Sequence, residues 1–186
     1  MKYKNEKFIF FRIKNRDKDA FAAAYDMYVE QIYRFIYFKI GNKKEEAEDL
    51  TSSVFLKTWN YIKDTEIKEK TLKALIYKIA RNAIIDEYRK KALRDDVSLD
   101  QSENAQNIAD DRQDIIGDID INLDKDKIIL KLNALKDDYR ELIILRYIED
   151  LSISEIAQIQ GKTKGAVRVE AHRALRALKN LFEEKN

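Results

Sequence analysis

The chain has 186 residues, room for one ordinary domain or two small ones, and its 45% hydrophobic and 38% charged content describes a packed core under a charged surface, not a disordered chain. The absence of Cys excludes disulfides and thiolate zinc sites and gives no sign of an oxidising compartment. No apolar stretch approaches the roughly 18 residues of a membrane span, so a soluble, cytoplasmic protein without membrane insertion is expected.

With no Pro and only 4 Gly, little in the sequence interrupts a helix, and the expected fold class is all-α. The net charge of +2 says little until it is divided along the chain. From Asp95 to Asp126 eleven acidic residues face only Arg112 and Lys125, a balance of −9 that leaves +11 on the remainder. Two basic lobes flanking an acidic connector are therefore expected: 1–94, 95–126 and 127–186.

At the N-terminus a short apolar patch, Phe8 to Phe11, is interrupted at once by Arg12. Phe21, Ala24, Tyr25, Tyr28, Ile32, Phe35 and Ile36 then recur at helical spacing, and Gly41 with Asn42 supplies a stop. A second helix turns Ala47, Leu50, Thr51, Val54, Thr58 and Ile62 inward, with Glu45, Glu46 and Glu48 in its first turns, where negative charge suits the helix dipole. After a polar break at Lys63 to Lys70, a third helix starts near Thr71 with Leu72, Leu75, Ile76, Ile79, Ala83 and Ile84 inward. It ends in Arg89, Lys90, Lys91 and Arg94. The segment Asp95 to Asp126 has weak periodicity and reads as a mostly irregular, flexible linker.

Past the linker, one helix runs from about Asp126 through Leu135 and another from Asp137 to Glu149. Ser152, Ile153, Ser154 and Glu155 then form a capping box, with Leu151 and Ile156 placed as a hydrophobic staple. Gly161 follows within about two turns, and Thr163 can cap a second helix. On that helix Val167, Ala171, Ala174 and Leu178 share one arc; Val169, His172, Arg173 and Arg176 share the opposite arc, flanked by Lys164 and Arg168. A helix-turn-helix from Leu151 to Leu178 needs this division, because its second helix must pack on one side and meet base edges and phosphates on the other. A solvated helix carrying charge for solubility alone has no need of the capped helix and glycine turn before it.

Leu135 to Leu181, LKDDYRELIILRYIEDLSISEIAQIQGKTKGAVRVEAHRALRALKNL, resembles domain four of the sigma-70 family, specifically of its compact extracytoplasmic-function (ECF) group. EDLTSSVFLKTW at Glu48 to Trp59 and ALIYKIARNAIIDEYRKK at Ala74 to Lys91 resemble family signatures of domain two, in the family's order. The resemblance implies an RNA polymerase sigma factor reading the −10 and −35 promoter elements. Asp49, Leu50, Phe55 and Trp59 become candidates for contact with the β′ subunit of core polymerase, and Trp59 is open to either a core or an interface role. Asn82 becomes the candidate for holding a flipped −10 base; Lys78, Arg81, Arg89, Lys90 and Lys91 would follow phosphates. A solvated helix end remains the alternative for these cations.

Carried over in the same way, Lys164, Arg168, Val169, His172 and Arg173 fall at the −35 element, with Arg176 and Lys179 at backbone phosphate. The linker corresponds to a connector running through polymerase, although plain solvation explains its composition equally well. Core polymerase (β and β′), promoter DNA and an anti-sigma factor are the implied partners, with no cofactor and no metal.

Three positions depart from the family pattern: many relatives have Trp at Leu75, and Ser and Arg at Val169 and Glu170. An unusual −35 preference is therefore expected. The lone His172 cannot make a zinc site without other strong ligands, and no nucleophile, phosphate loop or metal spacing accompanies the carboxylates, so no enzyme is expected. A stand-alone helix-turn-helix regulator and a helical interaction module are the rival classes. The first has no need of the two N-terminal blocks, and the second has no need of a basic exposed face.

Overall fold

A computed structural model describes residues 6–65, 70–95 and 125–183. Every regular element among them is helical: α1 (Glu6–Lys14), α2 (Lys18–Lys39), α3 (Lys44–Asp64), α4 (Leu72–Asp95), α5 (Lys125–Ala134), α6 (Asp137–Ile143), α7 (Ile153–Gln160) and α8 (Lys164–Glu183). A π-helical turn, Ile144–Ile148, continues α6. Most of the acidic linker lies outside the described residues, and its irregular reading stays an expectation.

The inward faces expected for α2, α3 and α4 are the ones buried. Ala24, Tyr28, Ile32, Phe35 and Ile36 on α2 meet Ala47, Leu50, Val54 and Ile62 on α3 and Leu72, Leu75, Ile76, Ala83 and Ile84 on α4. Tyr25 departs from the expected stripe: it is 41% exposed, its ring edge-on to Phe55 at 4.7 Å. Thr51 and Thr58 are buried with their hydroxyls satisfied, each donating to the carbonyl one turn back, Ala47 at 2.6 Å and Val54 at 2.7 Å.

The apolar patch near the N-terminus is a helix in its own right. Ile9, Phe10 and Ile13 of α1 are buried, and Asp17 caps α2, accepting from the amides of Asp19 and Ala20. Those amide bonds and the adjacent Arg12 guanidinium hold the Asp17 carboxyl below its ordinary pKa.

The expected helix to Glu149 is interrupted: the Glu149 amide donates to the Ile144 carbonyl at 2.9 Å, the longer spacing of a π turn. Buried residues of α1–α4 and of α5–α8 belong to one continuous core, and α7 packs directly on α4.

Truncating Ile13, fully buried, to Ala should cost about 2–5 kcal/mol in chemical denaturation if α1 is an integral part of this core.

Candidate promoter-reading and polymerase-binding surfaces

Local chemistry builds the C-terminal motif as its spacing implies. The Ser152 side chain accepts from the Glu155 amide at 3.2 Å while the Glu155 carboxylate accepts from the Ser152 amide at 2.8 Å, so two free donors at the start of α7 are satisfied together. Leu151 and Ile156, the staple pair, are both buried. Gly161 ends α7 in the left-handed region at φ 67°, where an added Cβ would be strained. Thr163 then caps α8, its hydroxyl accepting from the Ala166 amide at 3.2 Å.

On α8, Val167, Ala171 and Ala174 are buried, whereas Lys164, Arg168, Val169, His172, Arg173, Arg176 and Lys179 are exposed. Val169 is 51% exposed, an apolar group set among cations. Glu170 turns away from that face and pairs with Lys162 at 2.7 Å, which neutralises the acidic departure within the protein. Among the described residues, no group of acidic or His residues suited to a metal ion surrounds His172.

The sequence-predicted −10 residues of α4 divide into two groups. Lys78, Asn82, Arg89 and Lys90 are exposed, with Lys90 4.0 Å from Glu87. Lys91 is half-buried and bonded to Glu46 of α3. Arg81 is turned toward the C-terminal helices and bonds Glu141, Nε to the two carboxylate oxygens at 2.9 and 3.1 Å. Leu75, read from the resemblance as a departure from the family pattern, is 1% exposed. The departure therefore lies in the core.

The polymerase candidates on α3 also separate. Asp49 is exposed, whereas Leu50 and Phe55 are buried, so Leu50 acts first as core. Phe55 and half-buried Trp59 form the floor of a shallow apolar groove with Lys18, Phe21 and Leu56; Phe21 and Trp59 are in ring contact at 4.9 Å. Leu56 was absent from the sequence-based candidates and is 63% exposed. Its position on the outer face of a helix whose inner face was legible is the signal that could have found it.

Sequence reasoning also missed the polar seam between α2 and α4 on one side and the C-terminal helices on the other. Arg34 makes a two-pronged pair with Glu149, at 2.8 and 3.0 Å, and Tyr77 donates to the same carboxylate at 3.2 Å. Burial pushes the Glu149 carboxyl above its ordinary pKa against the opposing pull of Arg34 and Tyr77. Glu141, 2% exposed, also accepts from Gln160 at 2.9 Å and lies 3.5 Å from the Lys39 ammonium. Lys73 pairs with Glu155 at 3.0 Å.

A capped helix, a glycine turn and a helix with one buried and one basic face make up a helix-turn-helix, the geometry of a DNA-binding protein. Comparison with known proteins sets that class in its family. Residues 24–94 match the family model for sigma-70 region 2, and residues 125–178 match that for sigma-70 region 4. The ECF RNA polymerase sigma factor SigW of Bacillus subtilis is 33% identical over 183 residues, covering 93% of this chain and 94% of the relative. BldN of Streptomyces coelicolor, also an ECF RNA polymerase sigma factor, is 29% identical over 173 residues; the match covers 93% of this chain and 64% of BldN's length. In fold, the sigma factor RpoE of Bartonella quintana, solved with the anti-sigma factor NepR, superposes with a TM-score of 0.69 at 24% identity, covering 89% of this chain and 98% of that one. The chain belongs to the sigma-70 family, in its extracytoplasmic-function group, whose members are transcription initiation factors directing RNA polymerase to promoters. The stand-alone regulator is not favoured, because a region 2 match accompanies the helix-turn-helix.

Glu155 supplies a pH test. Partial burial raises its pKa, but hydrogen bonds from Ser152 and the Lys73 ammonium outweigh this and leave it below the ordinary value. A lowered carboxylate contributes stability that is present above the unfolded value near 4.5 and lost as pH falls through the folded one. The loss of melting temperature caused by Glu155→Gln should therefore be larger at pH 7 than at pH 3.

Proposed function

We propose that this chain binds core RNA polymerase through α3 and reads two promoter elements, the −35 element with α8 and the −10 element with α4. The observation that carries the reading is the face of α8: Arg168, Val169, His172 and Arg173 stand exposed opposite buried Val167, Ala171 and Ala174. Arginine matches the two acceptors of guanine, and an apolar side chain among the cations suits a thymine methyl group. Lys164, Arg176 and Lys179 position the helix on phosphates. On α4, Asn82 holds an extruded −10 base, and Lys78, Arg81, Arg89, Lys90 and Lys91 serve the strand's phosphates.

The polymerase surface is the groove floored by Phe55 and Trp59, with Asp49 and Leu56 exposed on the same helix. Trp59 contributes to both core and contact, an anchor seated in a pocket. In functional terms the N-terminal lobe is 1–94, the connector 95–126 and the C-terminal lobe 127–186. The chain performs no chemistry of its own; bond formation belongs to polymerase. It works in the cytoplasm, in line with the absence, among the described residues, of any helix long and apolar enough to cross a membrane. An anti-sigma factor regulates it, as the pairing of the structurally similar RpoE with NepR suggests.

Arg168→Ala with Arg173→Ala should weaken −35 protection in footprinting by about 1–3 kcal/mol per lost base contact and relax preference at the bases read. Asp49→Ala with Leu56→Ala should reduce capture of core polymerase in a pull-down while the circular dichroism spectrum stays helical. Unchanged protection and unchanged capture would refute these residue assignments.

A further inference from the structure

The first two turns of α8 present a different surface from its later ones. At about 100° per residue, Val169 lies within about 15° of the line opposite the centre of the arc buried through Val167, Ala171 and Ala174. Gly165 and Ala166, one turn before it, are exposed on the same side, so the middle of the face is nearly bare of side chain there. Arg168 stands on one flank and Arg173 on the other, and a cation regains the central line only at Arg176, about two turns later. Glu170 is drawn off the face by Lys162 at 2.7 Å.

Nothing inside the protein calls for glycine at 165. Its φ lies outside the left-handed region, unlike those of Gly41 and Gly161. A Cβ placed there would meet only the Thr163 hydroxyl oxygen, at an ordinary contact distance of 4.0 Å. Glycine within a helix is destabilising relative to alanine because it has more backbone freedom to lose, and it is favoured where a backbone must approach something outside the chain closely. A helix seated deep in the major groove has that requirement, and only a deep seat brings a side chain as short as valine to the base edges. Valine forms no hydrogen bond, so among the groups displayed there it matches the methyl on C5 of a pyrimidine. Its branched Cβ holds one strongly preferred rotamer in a helix, so little freedom is lost on docking.

Building on the proposed −35 role of α8, we infer that Gly165, Ala166 and Val169 form a notch for a 5-methylpyrimidine, in which Val169 senses the methyl group and Gly165 sets the depth of approach. Thymine is one occupant. 5-Methylcytosine presents the same methyl at the same place, so methylation of a cytosine at that position strengthens binding. The flanking arginines engage other groups and do not sense the methyl.

The probe is a promoter duplex that responds to the full chain with core polymerase, each −35 thymine of either strand being replaced in turn by deoxyuridine, which removes the methyl group alone. One replacement should weaken binding about fourfold, the worth of one buried methyl group. Val169→Ser should erase that difference, and Val169→Ile should retain it. At the same position, 5-methylcytosine should bind better than cytosine, each paired with guanine. Gly165→Ala should raise the melting temperature through better helix propensity and yet weaken promoter binding, a divergence that a purely structural glycine would not produce. Several results would overturn the inference: equal binding of thymine and deoxyuridine at every position, equal binding of the two cytosines, a thymine preference that survives Val169→Ser, or undiminished binding by Gly165→Ala. If no promoter responds at all, the sigma reading beneath the inference fails with it.

Discussion

Glu141 and Glu149 are removed from water at the seam between the two halves of the molecule, and the closed structure depends on how they are met. A carboxylate isolated in an apolar interior would carry a desolvation penalty of several kcal/mol. Here Arg34 forks onto Glu149, Tyr77 donates to it, and Arg81, Lys39 and Gln160 surround Glu141. Such pairs add little net stability compared with apolar packing, but any displacement that separates them is costly. They therefore fix one docking geometry between the two halves. The π turn at Ile144–Ile148 belongs to the same arrangement, since it sets where the chain delivers Glu149 at its end.

From that seam the functional surfaces follow as consequences of helix periodicity. On α4 the residues at 73, 77 and 81 face the seam, while 78 and 82, about 100° around the axis, remain exposed. One helix thus carries both the closure contact and the proposed base-holding Asn82. On α8 the small buried residues Val167, Ala171 and Ala174 set the helix on its domain, and the opposite face is left to charge. The groove on α3 proposed for polymerase lies apart from both surfaces, floored by Phe55 and Trp59, which make ring contacts to Tyr25 and Phe21.

Features governed by local chemistry were legible in the sequence. The Ser152–Glu155 box, the Gly161 turn, the inward stripes of α3 and α4 and the basic face of α8 each depend on residues a few positions apart. Features that depend on tertiary partners were not. Helix α1 has only three buried residues and a charged interruption, so its pattern is too short to distinguish from an isolated apolar patch. Leu50 was read both as inward and as a contact candidate, and it is buried; Phe55 was read only as a contact candidate, yet packing buries it and leaves Leu56 outside. The seam pairs span from 60 to 115 positions, and acidic residues are too numerous for any one to announce its partner. In retrospect Glu141, beside Leu142, Ile143 and Leu145, was the visible anomaly: a carboxylate in a run otherwise destined for the core.

Run-off transcription with purified core RNA polymerase on a library of promoter sequences tests the assignment most directly. Addition of the protein should yield a discrete set of transcripts that core polymerase alone does not produce, sharing sequence preferences at both the −10 and −35 positions. No dependent transcript from any promoter, together with no binding to core polymerase, would contradict its role as a promoter-directing initiation factor.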